Sequence, residues 1–268
     1  MLNNIKKFLL VIISLFFCLN VSYADFKQIK KKAVVNNPEI IFPIPKKLDK
    51  CISNMYVNSQ NNPVLPVIKV DAPSGYGLDN RFMYALNKFE NFKRPCGGGN
   101  VEACEHVKRV ILDWAKADAA QRIGAANHEA KHWNDTLTVN LWIASPMMAG
   151  YSFAKQRITI PQDEDKIIKE WFKKIVKKNQ HLMYELNKYK QGTQAAGVPR
   201  SAHNHALSSA ISHMQLGILL NDNKLFRKAF KNYEYAIKFQ RKDGSMPIET
   251  RRGGRAMFYQ GRAMTALT

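Results

Sequence analysis

Residues 207–237, LSSAISHMQLGILLNDNKLFRKAFKNYEYAI, decide the fold. Leu207, Ala210, Ile211, Met214 and Ile218 recur three and four apart, which is the spacing of one helix face. Leu225, Phe226, Ala229, Phe230, Tyr233 and Ile237 repeat it. Only Asn221-Asp222-Asn223 separates the two stripes, so the spacing predicts consecutive helices lying antiparallel across a tight turn. The same period runs upstream through Val110, Ile111, Trp114 and Ala115, and again through Ile167, Ile168, Trp171, Phe172, Ile175 and Val176. Lysines such as Lys173, Lys174, Lys177 and Lys178 form the outer, solvated faces of these stripes. The chain therefore reads as all-α, built from stacked helical hairpins that give a bundle, a solenoid or a closed toroid. Periodicity does not choose among the three, although the lack of a fixed-length repeat counts against a regular solenoid.

Working outward, residues 1–24 read as a secretory signal. They have a basic start at Lys6 and Lys7, an apolar stretch from Phe8 to Leu19 and a small-residue end at Ser22-Tyr23-Ala24. The apolar stretch is too short for a membrane span, and no later segment approaches spanning length. The expectation is an exported protein, periplasmic or secreted, with no membrane association once the signal is removed. Residues 25–73 form a polar, proline-punctuated lead, and residues 74–268 carry the helical pattern without a linker that would divide them. The last stretch, 255–268, reads as a helix without a stop signal, so a domain truncated there is expected.

Lysine and arginine number 41 against 21 aspartate and glutamate, a formal charge of +20. The signal holds two lysines and no acid, so its removal leaves +18. Such an excess concentrates anionic partners around the protein in a salt-dependent way. An exported protein meets acidic polysaccharides and anionic lipids more often than nucleic acid. Cys18 leaves with the signal, so Cys51, Cys96 and Cys104 remain in an oxidising compartment, where one disulfide is expected and its partners are open.

Two clusters carry candidate chemistry. Arg200-Ser201-Ala202-His203-Asn204-His205 precedes the apolar period that starts at Leu207, which places polar side chains at a helix N-terminus, where free N–H groups and the helix dipole favour an anion. The second, Asp243-Gly244-Ser245-Met246-Pro247-Ile248-Glu249, turns into Arg251, Arg252, Gly253, Gly254 and Arg255. Arginine suits bidentate contact with a carboxylate, and the two glycines suggest a close backbone approach. His128 and His132 have i, i+4 spacing but no third ligand, so a lining role is preferred to a metal site. Trp133, Trp142, Tyr76 and Tyr84 are candidates for stacking on sugar rings or for the core.

The stretch from Asn204 to Tyr259 resembles the alginate lyase family, whose members cleave polymannuronate within an α/α toroid. The family pattern has Asn-His opening a helix, Leu-Phe opening the next, then Asp-Gly-x-Leu-Pro-x-Glu-x-x-Arg-x-x-Arg-Ala-x-x-Tyr. Here it reads Asn204-His205, Leu225-Phe226, and Asp243-Gly244 through Pro247, Glu249, Arg252 and Arg255-Ala256 to Tyr259, with Met246 in place of leucine. Looser likenesses lie upstream, at Ser74-Gly75-Tyr76 and from Cys104 to Trp114-Ala115-Lys116-Ala117. The family usually has Asn-Asn-His followed by aromatics, where this chain has His203-Asn204-His205-Ala206-Leu207-Ser208.

The resemblance implies an incomplete α/α toroid of antiparallel helical hairpins that carries a lyase for mannuronate-rich alginate, needing no cofactor or metal and expected to act as a monomer. Asn204 and Arg252 would neutralise the uronate carboxylate, which makes the C5 proton acidic and stabilises the developing enolate. His205 and Tyr259 would share the base and acid roles, with Tyr259 serving as both for one epimer. Tyr76, Arg200, His203 and Arg255 would bind the sugar chain. Alternatives are a lyase for glucuronan or a glycosaminoglycan, and a non-catalytic periplasmic polysaccharide-binding protein, which would not need Tyr259. The resemblance and the loop arithmetic together favour a Cys51–Cys104 disulfide, with Cys96 unpaired. A short Cys96–Cys104 loop is the rival.

Overall fold

The structure is a computed structural model that describes residues 35, 37–44, 80–120, 143–177, 204–250, 253–257 and 260–261. Among the described residues seven helices follow one another: α1 (Asn80–Gly97), α2 (Val101–Lys116), α3 (Ser145–Lys155), α4 (Gln162–Lys177), α5 (Asn204–Leu219), α6 (Asn223–Ile237) and the one-turn α7 (Pro247–Thr250). A 3₁₀ turn, Gly253–Arg255, comes after them. No strand occurs among the described residues. Helices α1 and α2 pack on each other and on α3, α2 packs on α4, both α3 and α4 pack on α5, and α5 packs on α6.

One chemical device makes both tight hairpins. At the end of α1, Gly99 takes φ 94°, the Gly99 N–H bonds the Cys96 carbonyl at 2.8 Å and the Asn100 N–H bonds the Pro95 carbonyl at 3.0 Å. This is a Schellman cap, which satisfies the carbonyls a helix end leaves open. Asn100 then caps α2, its side-chain oxygen accepting from Ala103 N–H at 2.9 Å. Between α5 and α6 the pattern recurs, with Asn221 at φ 52°, its N–H on the Ile218 carbonyl at 3.2 Å, and Asp222 N–H on Gly217 O at 2.8 Å. Asp222 Oδ1 caps α6 by accepting from Leu225 N–H at 2.9 Å. Each turn thus reverses the chain within a few residues, as the Asn221-Asp222-Asn223 spacing predicts. Gly217 lets the two helices meet, because a Cβ there would lie 2.9 Å from the Phe226 backbone nitrogen.

The first hairpin corrects the disulfide expectation. Cys104 is bonded to Cys96, not to Cys51, and the two Cα atoms are 4.6 Å apart. Cys96 lies in the last turn of α1 and Cys104 in the first turn of α2, so the Schellman turn brings them together. Cys51 lies outside the described residues.

The core runs through Phe89, Phe92, Val107, Ile111, Trp114, Met147, Tyr151, Ile168, Phe172 and Ile175, all essentially inaccessible. Trp171 donates its indole N–H to the Ala119 carbonyl at 2.9 Å, which ties α4 to the end of α2. A strap, residues 37–44, fastens the helices from outside. Ile41 N–H donates to Ser152 Oγ of α3 at 2.8 Å, Ser152 Oγ–H donates to the Glu39 carbonyl at 2.8 Å, and Ile44 N–H donates to Oε1 of Gln156, the residue that caps α3, at 3.1 Å. Glu39 N–H reaches the Ile218 carbonyl of α5 at 3.0 Å.

Candidate functional site

Helix α5 opens at Asn204, and unlike α2, α4 and α6 it has no charged face. Ser208, Ser209, Ser212, His213 and Gln215 are all buried along it. Local bonds make this burial tolerable, since Ser208 Oγ–H donates to the Asn204 carbonyl at 2.8 Å and Ser212 Oγ–H to the Ser208 carbonyl at 3.0 Å. His213 Nδ1 lies 2.7 Å from the Ser209 carbonyl, a distance that assigns its proton to Nδ1. Burial holds the His213 imidazole down to about 4, aided by the Lys177 charge and opposed by the Ser209 bond, so it is neutral at pH 7.

Asn204 is 1% exposed. Its backbone N–H, one of the donors that α5 cannot satisfy internally, points at Glu249 Oε1 2.8 Å away. Glu249 itself is wholly buried and belongs to α7, 45 residues along the chain. A carboxylate at a helix N-terminus is favoured by the helix dipole as well as by the hydrogen bond. The contact welds the Asn-His cluster to the Asp-Gly-x-Met-Pro-x-Glu segment. The Asn204 side-chain oxygen is buried with no hydrogen-bond partner among the described residues. An unmet buried acceptor costs roughly 1–3 kcal/mol, so an amide left in this state fits a site that a polar ligand completes.

The second cluster is built to hold that carboxylate still. Asp243 Oδ1 accepts from Ser245 N–H at 2.9 Å, and Gly244 takes φ 82°, which explains the Asp-Gly pair. The Ser245 N–H and hydroxyl hold the Asp243 carboxyl below its ordinary range. Pro247 starts α7, and Thr250 N–H closes its turn on the Met246 carbonyl at 3.1 Å. Gln260 clamps the far side, with its Oε1 accepting from Met246 N–H at 2.9 Å and its Nε2 donating to the Gly244 carbonyl at 3.4 Å. The residue after Tyr259 is therefore bonded to the turn that carries Glu249.

Of the residues given catalytic or sugar-binding roles in the sequence, Asn204 is the one whose side chain is described. His205 sits in the first turn of α5 and Arg255 ends the 3₁₀ turn, with neither side chain described. Arg252, Tyr259, Tyr76, Arg200, His203 and the His128/His132 pair lie outside the described residues. Among the described residues no atom lies within 4 Å of a Cβ at Gly253 or Gly254, and the φ of 57° at Gly253 is a conformation that favours glycine. Among the described residues no group of three His, Cys, Asp or Glu could hold a metal. Sequence reading placed Glu249 in the second cluster without giving it a role, and passed over Gln260. The signal for Glu249 was an acid just before the arginines, third in a Pro-initiated turn.

The protein-family model described as alginate lyase matches residues 45–268. An alginate lyase of Pseudomonas syringae pv. syringae is 28% identical over 175 residues, covering 63% of this chain and 41% of its own length. An alginate lyase of Cobetia marina is 26% identical over 178 residues with the same coverage. The chain thus spans about two fifths of the length of the curated relatives it matches. Among solved structures, alginate lyase A1-III from Sphingomonas species A1 superposes with a TM-score of 0.53 at 15% identity, over 88% of this chain and 70% of that one. A tyrosine-to-phenylalanine variant of alginate lyase A1-III, complexed with tetrasaccharide, superposes equally well, with a TM-score of 0.53 at 15% identity over 88% of this chain and 69% of its own. The fold is accordingly the all-helical, incomplete α/α toroid of antiparallel hairpins that the sequence led us to expect.

Proposed function

The chain belongs to the alginate lyase family, and from that membership we propose that it is an exported polysaccharide lyase that depolymerises mannuronate-rich alginate by β-elimination. The observation that carries the reading is the Asn204–Glu249 contact, because it joins in space the two sequence clusters that the chemistry requires together. Export is supported by the signal-like residues 1–24 and by the Cys96–Cys104 disulfide, a bond of oxidising compartments. In this reading residues 74–268 form the catalytic unit.

A uronate C5 proton becomes removable once the neighbouring carboxylate is neutralised. Asn204, fixed at the head of α5, takes that role by donating its side-chain amide N–H to the carboxylate, beside the Arg252 guanidinium. His205 and Tyr259 divide proton removal from C5 and proton delivery to the departing C4 oxygen. The electron pair left at C5 forms the C4–C5 double bond as the C4–O bond breaks. Tyr76, Arg200, His203 and Arg255 hold neighbouring sugars. No step needs a metal, so activity is expected to survive a chelator.

Incubation of the full chain with polymannuronate, polyguluronate, glucuronan and hyaluronan, followed by near-ultraviolet absorbance of the conjugated product, tests the proposal. We expect polymannuronate to be cleaved fastest. Removing an electrostatic donor costs about 10²–10³ in rate, so Asn204→Ala should slow turnover by that factor. Tyr259→Phe should abolish turnover while leaving polymer affinity nearly intact. Near-normal turnover by Tyr259→Phe would refute the acid–base assignment, and binding without cleavage by the unaltered chain would leave a polysaccharide-binding protein.

A further inference from the structure

The basic residues of this chain are distributed unevenly in a way that a general excess of charge does not explain. On α4 acids are interspersed among the lysines and three of the five lysines are paired: Lys169 with Asp165 at 2.8 Å, Lys173 with Glu170 at 3.2 Å, and Lys174 with Asp118. Helix α6 is different. Its sequence, NKLFRKAFKNYEYAI, holds a single acid, Glu234. Its apolar face, Leu225, Ala229, Phe230 and Tyr233, is buried. Lys224, Arg227, Lys231, Tyr235 and Lys238 are all exposed and recur three or four apart, and Lys224, Lys231 and Lys238 make no ion pair among the described residues. At 100° per residue these five positions fall within one narrow arc, so they form a single stripe about 21 Å long with successive cations about one or two turns apart. Tyr235 is 40% exposed within that stripe, and its ring is steadied edge-on by Phe239 at 5.4 Å between centroids.

We propose that this face of α6 is a second polyuronate-binding surface, which holds the alginate chain outside the catalytic groove. A polyuronate presents one carboxylate per ring along an extended strand, which matches a straight row of unpaired cations. A half-exposed, braced tyrosine adds a platform for a sugar face. The stripe leads by way of the exposed Lys242 into the turn that carries Glu249, and so toward the catalytic segment. The partner's identity rests on the lyase reading, and the surface raises the effective concentration of polymer at the site as a second, weak binding module would.

The test is the double variant Lys231→Glu/Lys238→Glu, with Lys231→Gln/Lys238→Gln as the milder pair. Binding to polymannuronate is read by co-sedimentation across a salt series, independently of cleavage. Turnover is read on long polymannuronate and on tetramannuronate. We expect the charge-reversed protein to bind polymer about tenfold more weakly at low salt, with a salt dependence shallower by the loss of two ionic contacts. KM for polymer should rise in proportion, with kcat unchanged and tetramannuronate kinetics unaltered. Equal polymer binding by variant and unaltered chain would overturn the proposal, and so would an equal loss on tetramannuronate, which would place these lysines in the catalytic groove. If the unaltered chain bound polymannuronate without cleaving it and the variant bound it more weakly, the surface would stand and the lyase reading would fall.

Discussion

His213 shows what a single buried side chain does to the pH response. Its imidazole is held down to about 4, against an ordinary value of 6.5, chiefly because it is buried. The unfolded chain therefore takes up a proton on cooling the pH from about 6.5 to 4 and the folded chain does not, so stability falls across that window. The loss is of order 3 kcal/mol at the lower end. Glu39 and Asp165 cannot produce the same effect there, because their carboxyls are lowered and fail only below the ordinary carboxylate range. Thermal unfolding at pH 7, 6, 5 and 4.5 should show the decline in the unaltered protein and a flatter profile in His213→Gln. A pH-independent melting temperature between 7 and 4.5 would contradict the assignment. Legibility differs sharply between residues here. Asn204 could be read as a helix-starting side chain, because caps have a local signature. Glu249 could not, because its partner lies 45 residues away and only the fold supplies the contact.

At the level of elements, the helices were readable because each depends on a short period of apolar residues, and the α5–α6 turn was readable because Asn, Asp and Asn are what a Schellman exit and an N-cap require. The disulfide was misread for a related reason. Chain-entropy arithmetic rewards the longer loop, about 4 kcal/mol for Cys51–Cys104 against about 2.5 for Cys96–Cys104, and says nothing about which sulfurs the native turn brings together. Gly97-Gly98-Gly99-Asn100 was the overlooked signal, since a glycine exit followed directly by an Asn cap forces the two helix ends into contact. Peptide mapping of the non-reduced protein should recover Cys96 joined to Cys104. The Cys96→Ser/Cys104→Ser variant should lose about 2–3 kcal/mol in denaturant melts, with the helical far-ultraviolet spectrum retained. A Cys51-containing bridge in the map would refute the pairing.

For the molecule as a whole, the strap at residues 37–44 was invisible to periodicity, because a segment without a repeating face declares itself only through what it touches. Glu39 is its centre. It holds φ 69°, an uncommon conformation for a residue with a side chain, and its backbone bonds reach α3 and α5 at once. Its carboxylate meets Lys155 of α3 at 2.8 Å and also pairs with Lys169 of α4, while Asp165 binds the same two lysines and accepts from the Tyr151 hydroxyl. Burial raises both carboxyls, but the lysine contacts prevail and hold them low, and the same carboxylates hold Lys169 high. Lowered acids contribute stability that is present above their unfolded values and lost as pH falls through the folded ones. A raised lysine contributes stability that is lost as pH rises through its folded value. The clasp is therefore closed from about pH 5 to 10. Glu39→Gln keeps the shape and removes the charge, leaving Lys155 and Lys169 to share Asp165 alone. Because the group is a third exposed, the cost should be about 1–2 kcal/mol, between exposed and buried pairs. Hydrogen exchange should locate the effect. The Ile41 and Ile44 amides, bonded to Ser152 and Gln156, should exchange faster in the variant, while those of α1 and α2 keep their protection. Unchanged exchange at Ile41 would mean that the backbone bonds alone hold the strap and that the ion cluster serves only to join α3 to α4.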